Sequence, residues 1–182
     1  MLQQHVPPMA AFDVMDPHKM MGLLSREQRR LAIDQCFGGW GADNLDVYRR
    51  SIDVMENELI APADLPDGGF RISYGDFLQT LQNYRALTYG QMVVSAVDAL
   101  QHDEGIRAAV LGPLQHIIVD EYQDTNRAQE QLVLALAAEG AHVCVVGDDD
   151  QAIYQWRGAT VENILEFRVR FANGGEVAVA EL

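Results

Sequence analysis

Two short stretches carry residue types that could do chemistry together. In HIIVDEYQDT, residues 116–125, three β-branched apolar residues run into the adjacent carboxylates Asp120 and Glu121, and Asp124 follows. In VCVVGDDDQ, residues 143–151, a second apolar run ends on Gly147, Asp148, Asp149, Asp150 and Gln151. Each run has the form of a strand buried on both faces. In a parallel sheet, ligands sit beyond the carboxyl ends of the strands, so two neighbouring strands of this kind aim both sets into one crevice. A strand-end aspartate supplies the oxygen ligand that Mg²⁺ prefers. A glutamate beside it can polarise an attacking water, and Gln151, past the end of the next strand, can sense a terminal phosphate. An Asp-Glu pair alone has a plainer explanation, the solvation of a loop, and it is the second stretch that lowers its weight. Asp148, Asp149 and Asp150 read as turn residues. Asp124 reads as a helix cap in preference to a group that orients the site.

These residues need a sheet and a crossover to hold them. Asn126 can cap a helix to about Glu139, and Gly140 suits its stop. HVCVVG, 142–147, then follows as the second strand, which makes a strand–helix–strand unit of the usual size of roughly 30 residues. Thr160 caps a further helix over 161–171, and EVAVAEL, 176–182, alternates like a third strand. Three strands are too few for a doubly wound sheet. The first part of the chain differs in character. Residues 1–24 show no clear period. Ser25 with Gln28 forms a capping-box pattern for a helix to about Phe37. Leu45, Tyr48, Ile52, Met55 and Leu59 follow helical spacing. The segment 61–69 is rich in Pro and Gly and breaks that helix. Ser73 with Asp76, and Thr88 with Gln91, repeat the capping pattern ahead of apolar stripes. Domain organisation is therefore expected as a mainly helical unit over 1–110 and part of a parallel α/β sheet over 111–182.

Composition narrows the function classes. The 182 residues carry a net charge of -14, against a protein that holds nucleic acid by charge alone. Residues 1–110 hold 9 basic and 15 acidic side chains, so a strong duplex-binding surface is not expected there. No run approaches the ~20 apolar residues that span a bilayer, and the N-terminus lacks the pattern of a secretory signal. No membrane partner and a cytoplasmic location are expected. Cys36 and Cys144 are far apart and read as buried free thiols. The five histidines show no metal-ligand spacing, and Trp40, between glycines, reads as a packing anchor.

With the second stretch extended to VVGDDDQAIYQWRGA, 145–159, the chain resembles the UvrD/Rep-like superfamily 1 DNA helicases. IIVDEYQDT matches their second helicase motif and VVGDDDQAIYQWRGA their third, and ENILEF, 162–167, looks like the sequence that follows. LTYGQMVVSAVDAL sits where the family has a helix leading to the Mg²⁺ motif. The resemblance implies an α/β fold, a partial RecA-like parallel sheet of the P-loop NTPase type with a helical insert subdomain, and ATP and Mg²⁺ as cofactors. It implies that Asp120 binds Mg²⁺ directly or through water, with Glu121 beside it as the general base acting on water at the γ-phosphate. By the same resemblance, Gln151 contacts that phosphate. Tyr154 and Trp156 lie against bases of single-stranded DNA, and Arg157 links that contact to the nucleotide site. Stacking on an aromatic ring contributes ~1–3 kcal/mol per base whatever the sequence, which suits a translocating motor.

The chain also departs from the family. A phosphate loop, G-x-x-x-x-G-K-[ST], needs a lysine, and the one lysine, Lys19, lies in PHKMM with neither glycine nor hydroxyl beside it. The family's second motor domain, with its γ-phosphate arginine, has no counterpart in these residues. The expectation is a piece of a larger ATP-dependent DNA helicase acting in DNA repair, recombination or replication restart. It acts on single-stranded DNA and ss/dsDNA junctions together with the remainder of the parent chain, and is inactive in ATP hydrolysis alone. The alternative is a catalytically inactive motor remnant that binds DNA or a repair protein. A third reading is a motor subunit of a helicase–nuclease complex.

Overall fold

In the computed structural model, which describes residues 11–37, 43–148, 167, 169–171 and 177–180, the first helix starts at Asp16 rather than Ser25. The Asp16 carboxylate accepts the Lys19 N–H at 2.8 Å, and Pro17 occupies the first turn, where a missing N–H costs nothing. Helix α1 thus spans Pro17–Glu27, within a stretch that shows little period in sequence. The expected helix to Phe37 is broken by a turn at 28–32, with Ala32 in the left-handed region, before the one-turn helix α2, Ile33–Cys36. The break lets Leu31 and Ile33 both reach the core, where neither is exposed.

Helix α3, Asn44–Asn57, follows the expected spacing and buries Tyr48 and Ile52. Helix α4, Gly69–Tyr84, begins before the expected cap at Ser73. Ser73 is instead a buried mid-helix residue. Its hydroxyl donates to the Leu31 carbonyl, and the Tyr48 hydroxyl donates to the Ser73 carbonyl at 3.0 Å. The earlier start carries Phe70 into a ring cluster with Phe37, Tyr48 and Tyr74, a gain that local capping propensity does not register. A two-residue strand β1, Asp13–Val14, pairs in parallel with β2, Ala86–Leu87. Strands this short have no readable period.

Thr88 caps helix α5, Tyr89–His102, as its spacing predicts: its hydroxyl oxygen accepts the Gln91 N–H at 2.9 Å. Asp103 does the same for helix α6, Glu104–Leu111. Strand β3 spans His116–Val119, helix α7 Arg127–Ala137 and strand β4 His142–Val145. α7 carries a reciprocal capping box between Asn126 and Gln129. Asp124 therefore does not cap α7; it lies in a 3₁₀ turn, Tyr122–Asp124, ahead of the cap.

Among the described residues, the architecture is mixed helix and strand with two small parallel sheets. One apolar core joins α1, α2, α3 and α4 around Leu24, Tyr48, Ile52 and Phe77. A second lies between α5, α6 and α7 around Leu100 and Leu111. α7 packs on α5 and on β3.

β3 and β4 are not buried on both faces. Along each strand, exposed and half-buried residues alternate, and Ile118 is 76% exposed. α7 packs against β3, whose Ile117 and Val119 are half-buried while His116 and Ile118 on the other face are exposed. That face leaves Cys144 exposed, against its expected burial, while Cys36 is half-buried. Residues 177–180 have no strand pairing, although Val177 and Val179 alternate with small residues. Residues 167 and 169–171 are helical, as expected. Trp40 and most of the helix expected from Thr160 lie outside the described residues.

Candidate functional site

The parallel register places the two functional stretches side by side. His116 pairs with His142 and Val119 with Val145, so Asp120 and Glu121 leave β3 level with the end of β4. The ladder continues past the strands: Val146 N–H donates to the Val119 carbonyl at 2.8 Å and Tyr122 N–H to the Val146 carbonyl at 2.9 Å. This fixes the backbone on both sides of the acid pair.

Glu121 adopts a left-handed conformation, φ 51 and ψ 45. Such a conformation costs a residue with a Cβ about 1 kcal/mol, so the surroundings must impose it. Three contacts do so. The Asp120 carboxylate accepts the Glu121 N–H at 3.0 Å. The Tyr122 N–H is held by the Val146 carbonyl, just past β4. Gln123 Nε2 donates to the Glu121 carboxylate at 2.6 Å. Asp120 and Glu121 are both exposed, so their carboxylates are open to water and to a ligand.

Gln123 is buried at 1% exposure, and its other amide atom, Oε1, accepts the Asp148 N–H at 3.0 Å. A carboxylate only accepts and a backbone N–H only donates, so the amide has one orientation that satisfies both. Tyr122, fully buried, donates its hydroxyl to Glu130 on α7 at 3.1 Å. Burial, with the Glu130 carboxylate nearby, pushes the Tyr122 hydroxyl's pKa up. Glu130 is also paired with Arg170, and the Tyr122 ring meets Phe167 edge-on at 5.5 Å. The turn after the acids is thereby anchored to α7, to Phe167 and, through Glu130, to Arg170.

The donor set suits Mg²⁺, which keeps several waters and takes one or two carboxylates together with phosphate oxygens. Asp120 and Glu121 are hard, solvent-facing oxygen donors at a rigid strand end. Among the described residues, no three His, Cys, Asp or Glu side chains form a self-contained metal site. Asp124 Oδ1, close by in sequence, is buried without a hydrogen-bond partner among the described residues.

Of the residues singled out in sequence, the structure brings Asp120 and Glu121 to one sheet edge beside Gly147 and Asp148. Gln151, Tyr154, Trp156 and Arg157 lie outside the described residues. Gln123, Tyr122 and Glu130 were not legible as site residues. Tyr122 and Gln123 lie within IIVDEYQDT, the stretch that resembles the second helicase motif, with Gln123 two residues past the acid pair, but local spacing assigns neither a role.

Known proteins share this arrangement of sequence. The family model for the UvrD/REP helicase N-terminal domain matches residues 26–172. The ATP-dependent DNA helicase PcrA of Bacillus subtilis (strain 168) is 33% identical over 138 residues, covering 72% of this chain and 19% of that protein. PcrA of Staphylococcus aureus (strain Mu50) is 36% identical over 124 residues, covering 64% of this chain and 17% of that protein. The chain belongs to the UvrD/REP helicase family. It spans under a fifth of the length of these relatives.

Proposed function

We propose that the chain is part of an ATP-dependent DNA helicase that couples Mg-ATP hydrolysis to movement along single-stranded DNA and to duplex unwinding. The observation that carries this reading is the parallel register of β3 and β4. It sets Asp120 and Glu121 at the same sheet edge as Gly147 and Asp148, which lead into Gln151 and Trp156. Residues 111–182 are read as part of a RecA-like first motor domain of the P-loop NTPase type, and 1–110 as its helical accessory subdomain.

In this reading Asp120 holds Mg²⁺, with Glu121 beside it, and the ion supplies charge neutralisation on the phosphates. The Glu121 carboxylate accepts a proton from the water that attacks the γ-phosphate. Gln151 contacts that phosphate. Tyr154 and Trp156 stack on bases of single-stranded DNA, and Arg157 joins the two sites. The partners are single-stranded DNA, ss/dsDNA junctions and the remainder of a longer helicase chain, in the cytoplasm and in DNA repair. No helix among the described residues is long and apolar enough to cross a membrane.

The test is ATP hydrolysis by the full product of the gene, with and without single-stranded DNA, beside Glu121→Gln. DNA-stimulated turnover that the variant loses while still binding ATP is the expected result. One observation favours a second reading, a motor remnant that binds DNA or a repair protein without turnover. Lys19, the one lysine, is a first-turn residue of α1 and not part of a phosphate loop. Absence of DNA-stimulated turnover, or an unaffected Glu121→Gln variant, would select it.

A further inference from the structure

The contacts of Gln123 have a consequence beyond packing. Its side chain is buried, and its two amide atoms are committed to different parts of the site. Nε2 donates to the Glu121 carboxylate at 2.6 Å, and Oε1 accepts the Asp148 N–H at 3.0 Å. Glu121 is exposed and sits on a left-handed residue. A glutamate side chain free in solvent has several rotamers, and a general base must be held in one geometry to be effective. Among the described residues, Gln123 is the side chain that donates to this carboxylate. The same amide grips the backbone immediately after β4, three residues before Gln151 in sequence.

We propose that Gln123 is a positioning residue: its amide aims the Glu121 carboxylate and locks that aim to the backbone at Asp148, so that the two strand ends act as one unit. The proposal rests on the helicase reading. It assigns Gln123 no proton transfer and no contact with nucleotide. Its role is to select one rotamer of the base and to make that rotamer depend on where the segment after β4 lies. A side chain at position 123 that fills the space but cannot donate leaves Glu121 free to rotate into solvent.

Two substitutions separate the two hydrogen bonds. Gln123→Met keeps the buried volume and makes neither. Gln123→Glu keeps an acceptor for the Asp148 N–H but sets a carboxylate against Glu121. In the full product of the gene, both variants are expected to lower the DNA-stimulated kcat for ATP by about 10- to 100-fold. KM for ATP and the Kd for single-stranded DNA are expected to stay within about twofold of wild type. A merely structural role would instead raise KM and Kd along with the loss of turnover, and that result would overturn the proposal. So would a wild-type kcat in Gln123→Glu. Absence of DNA-stimulated turnover in the wild type overturns the helicase reading itself, a result distinct from either of these.

Amide hydrogen exchange in the 182-residue chain supplies a second measurement that needs no turnover. The Asp148 N–H is expected to be protected in the wild type and in Gln123→Glu and to lose protection in Gln123→Met. An Asp148 N–H that exchanges freely in the wild type shows that the link is not formed, and the proposal falls even if neither variant folds.

Discussion

Tyr122 and Glu130 meet in the interior of the protein: the phenol donates to the carboxylate at 3.1 Å, with Tyr122 at 0% and Glu130 at 3% exposure. The contact ties the turn that follows the acid pair to the helix that crosses between the two strands. Glu130 holds Arg170 on its other oxygen, so one buried carboxylate joins three segments.

Removal of the phenol hydroxyl leaves a buried carboxylate oxygen without a donor. Tyr122→Phe should therefore cost about 1–2 kcal/mol. Arg170→Met should cost more, because it leaves a buried charge without its cation, and Glu130→Met in the same chain should recover much of the loss. Urea unfolding of the three variants decides this. Equal stability of Tyr122→Phe and wild type would show that the hydroxyl bond contributes nothing net.

Glu56 makes stability depend on pH. Its carboxylate is 1% exposed, accepts the Thr88 hydroxyl at 2.7 Å, and is pushed up by burial to about 7 from its usual 4.5. An acid whose folded pKa is raised binds more protons folded than unfolded between these two values, so stability falls as pH rises from about 4.5 to 7 and levels off above. The full effect is on the order of 3 kcal/mol. Glu56→Gln should flatten that slope and be the more stable chain at pH 8. Thermal melts of both proteins from pH 5 to 8 test it, and parallel slopes would rule Glu56 out as the cause.

Gly90, in the first turn of α5, lies against the same side chain. A Cβ there would stand 2.6 Å from the Glu56 Cβ. Gly90→Ala gains about 1 kcal/mol of helix propensity but forces a buried side chain to move, at about 1–3 kcal/mol. The net expectation is a lower Tm. A Tm above wild type would mean that α3 yields at this contact.

The 182-residue chain by itself should show no ATP turnover above that of its Glu121→Gln variant, because it has no lysine in a phosphate loop to reach the β- and γ-phosphates. A phosphate-release assay with Mg-ATP and single-stranded DNA is sufficient. Robust turnover would require a phosphate-binding cation other than the motif lysine.

The residue order by itself determined the strand–helix–strand unit, the caps at Thr88 and Asn126, and the acid pair at the carboxyl edge of β3. Each rests on groups close in the chain. A cap reaches an N–H three residues on, and a run of β-branched residues is its own signal. Tertiary structure decided what depends on distant groups. Ser73 reads as a cap but is buried inside α4, because Leu31 and Tyr48 complete its hydrogen bonds. The β1–β2 pair exists because two segments more than seventy residues apart meet in register. Ile118 is 76% exposed on a strand whose composition reads as buried, because packing and not the apolar run decides which faces are covered. The bridge from Glu121 through Gln123 to Asp148 spans α7 and β4 in sequence. A hydrogen bond across that separation leaves no mark in local spacing, since it forms only when the backbone has already brought its two ends together.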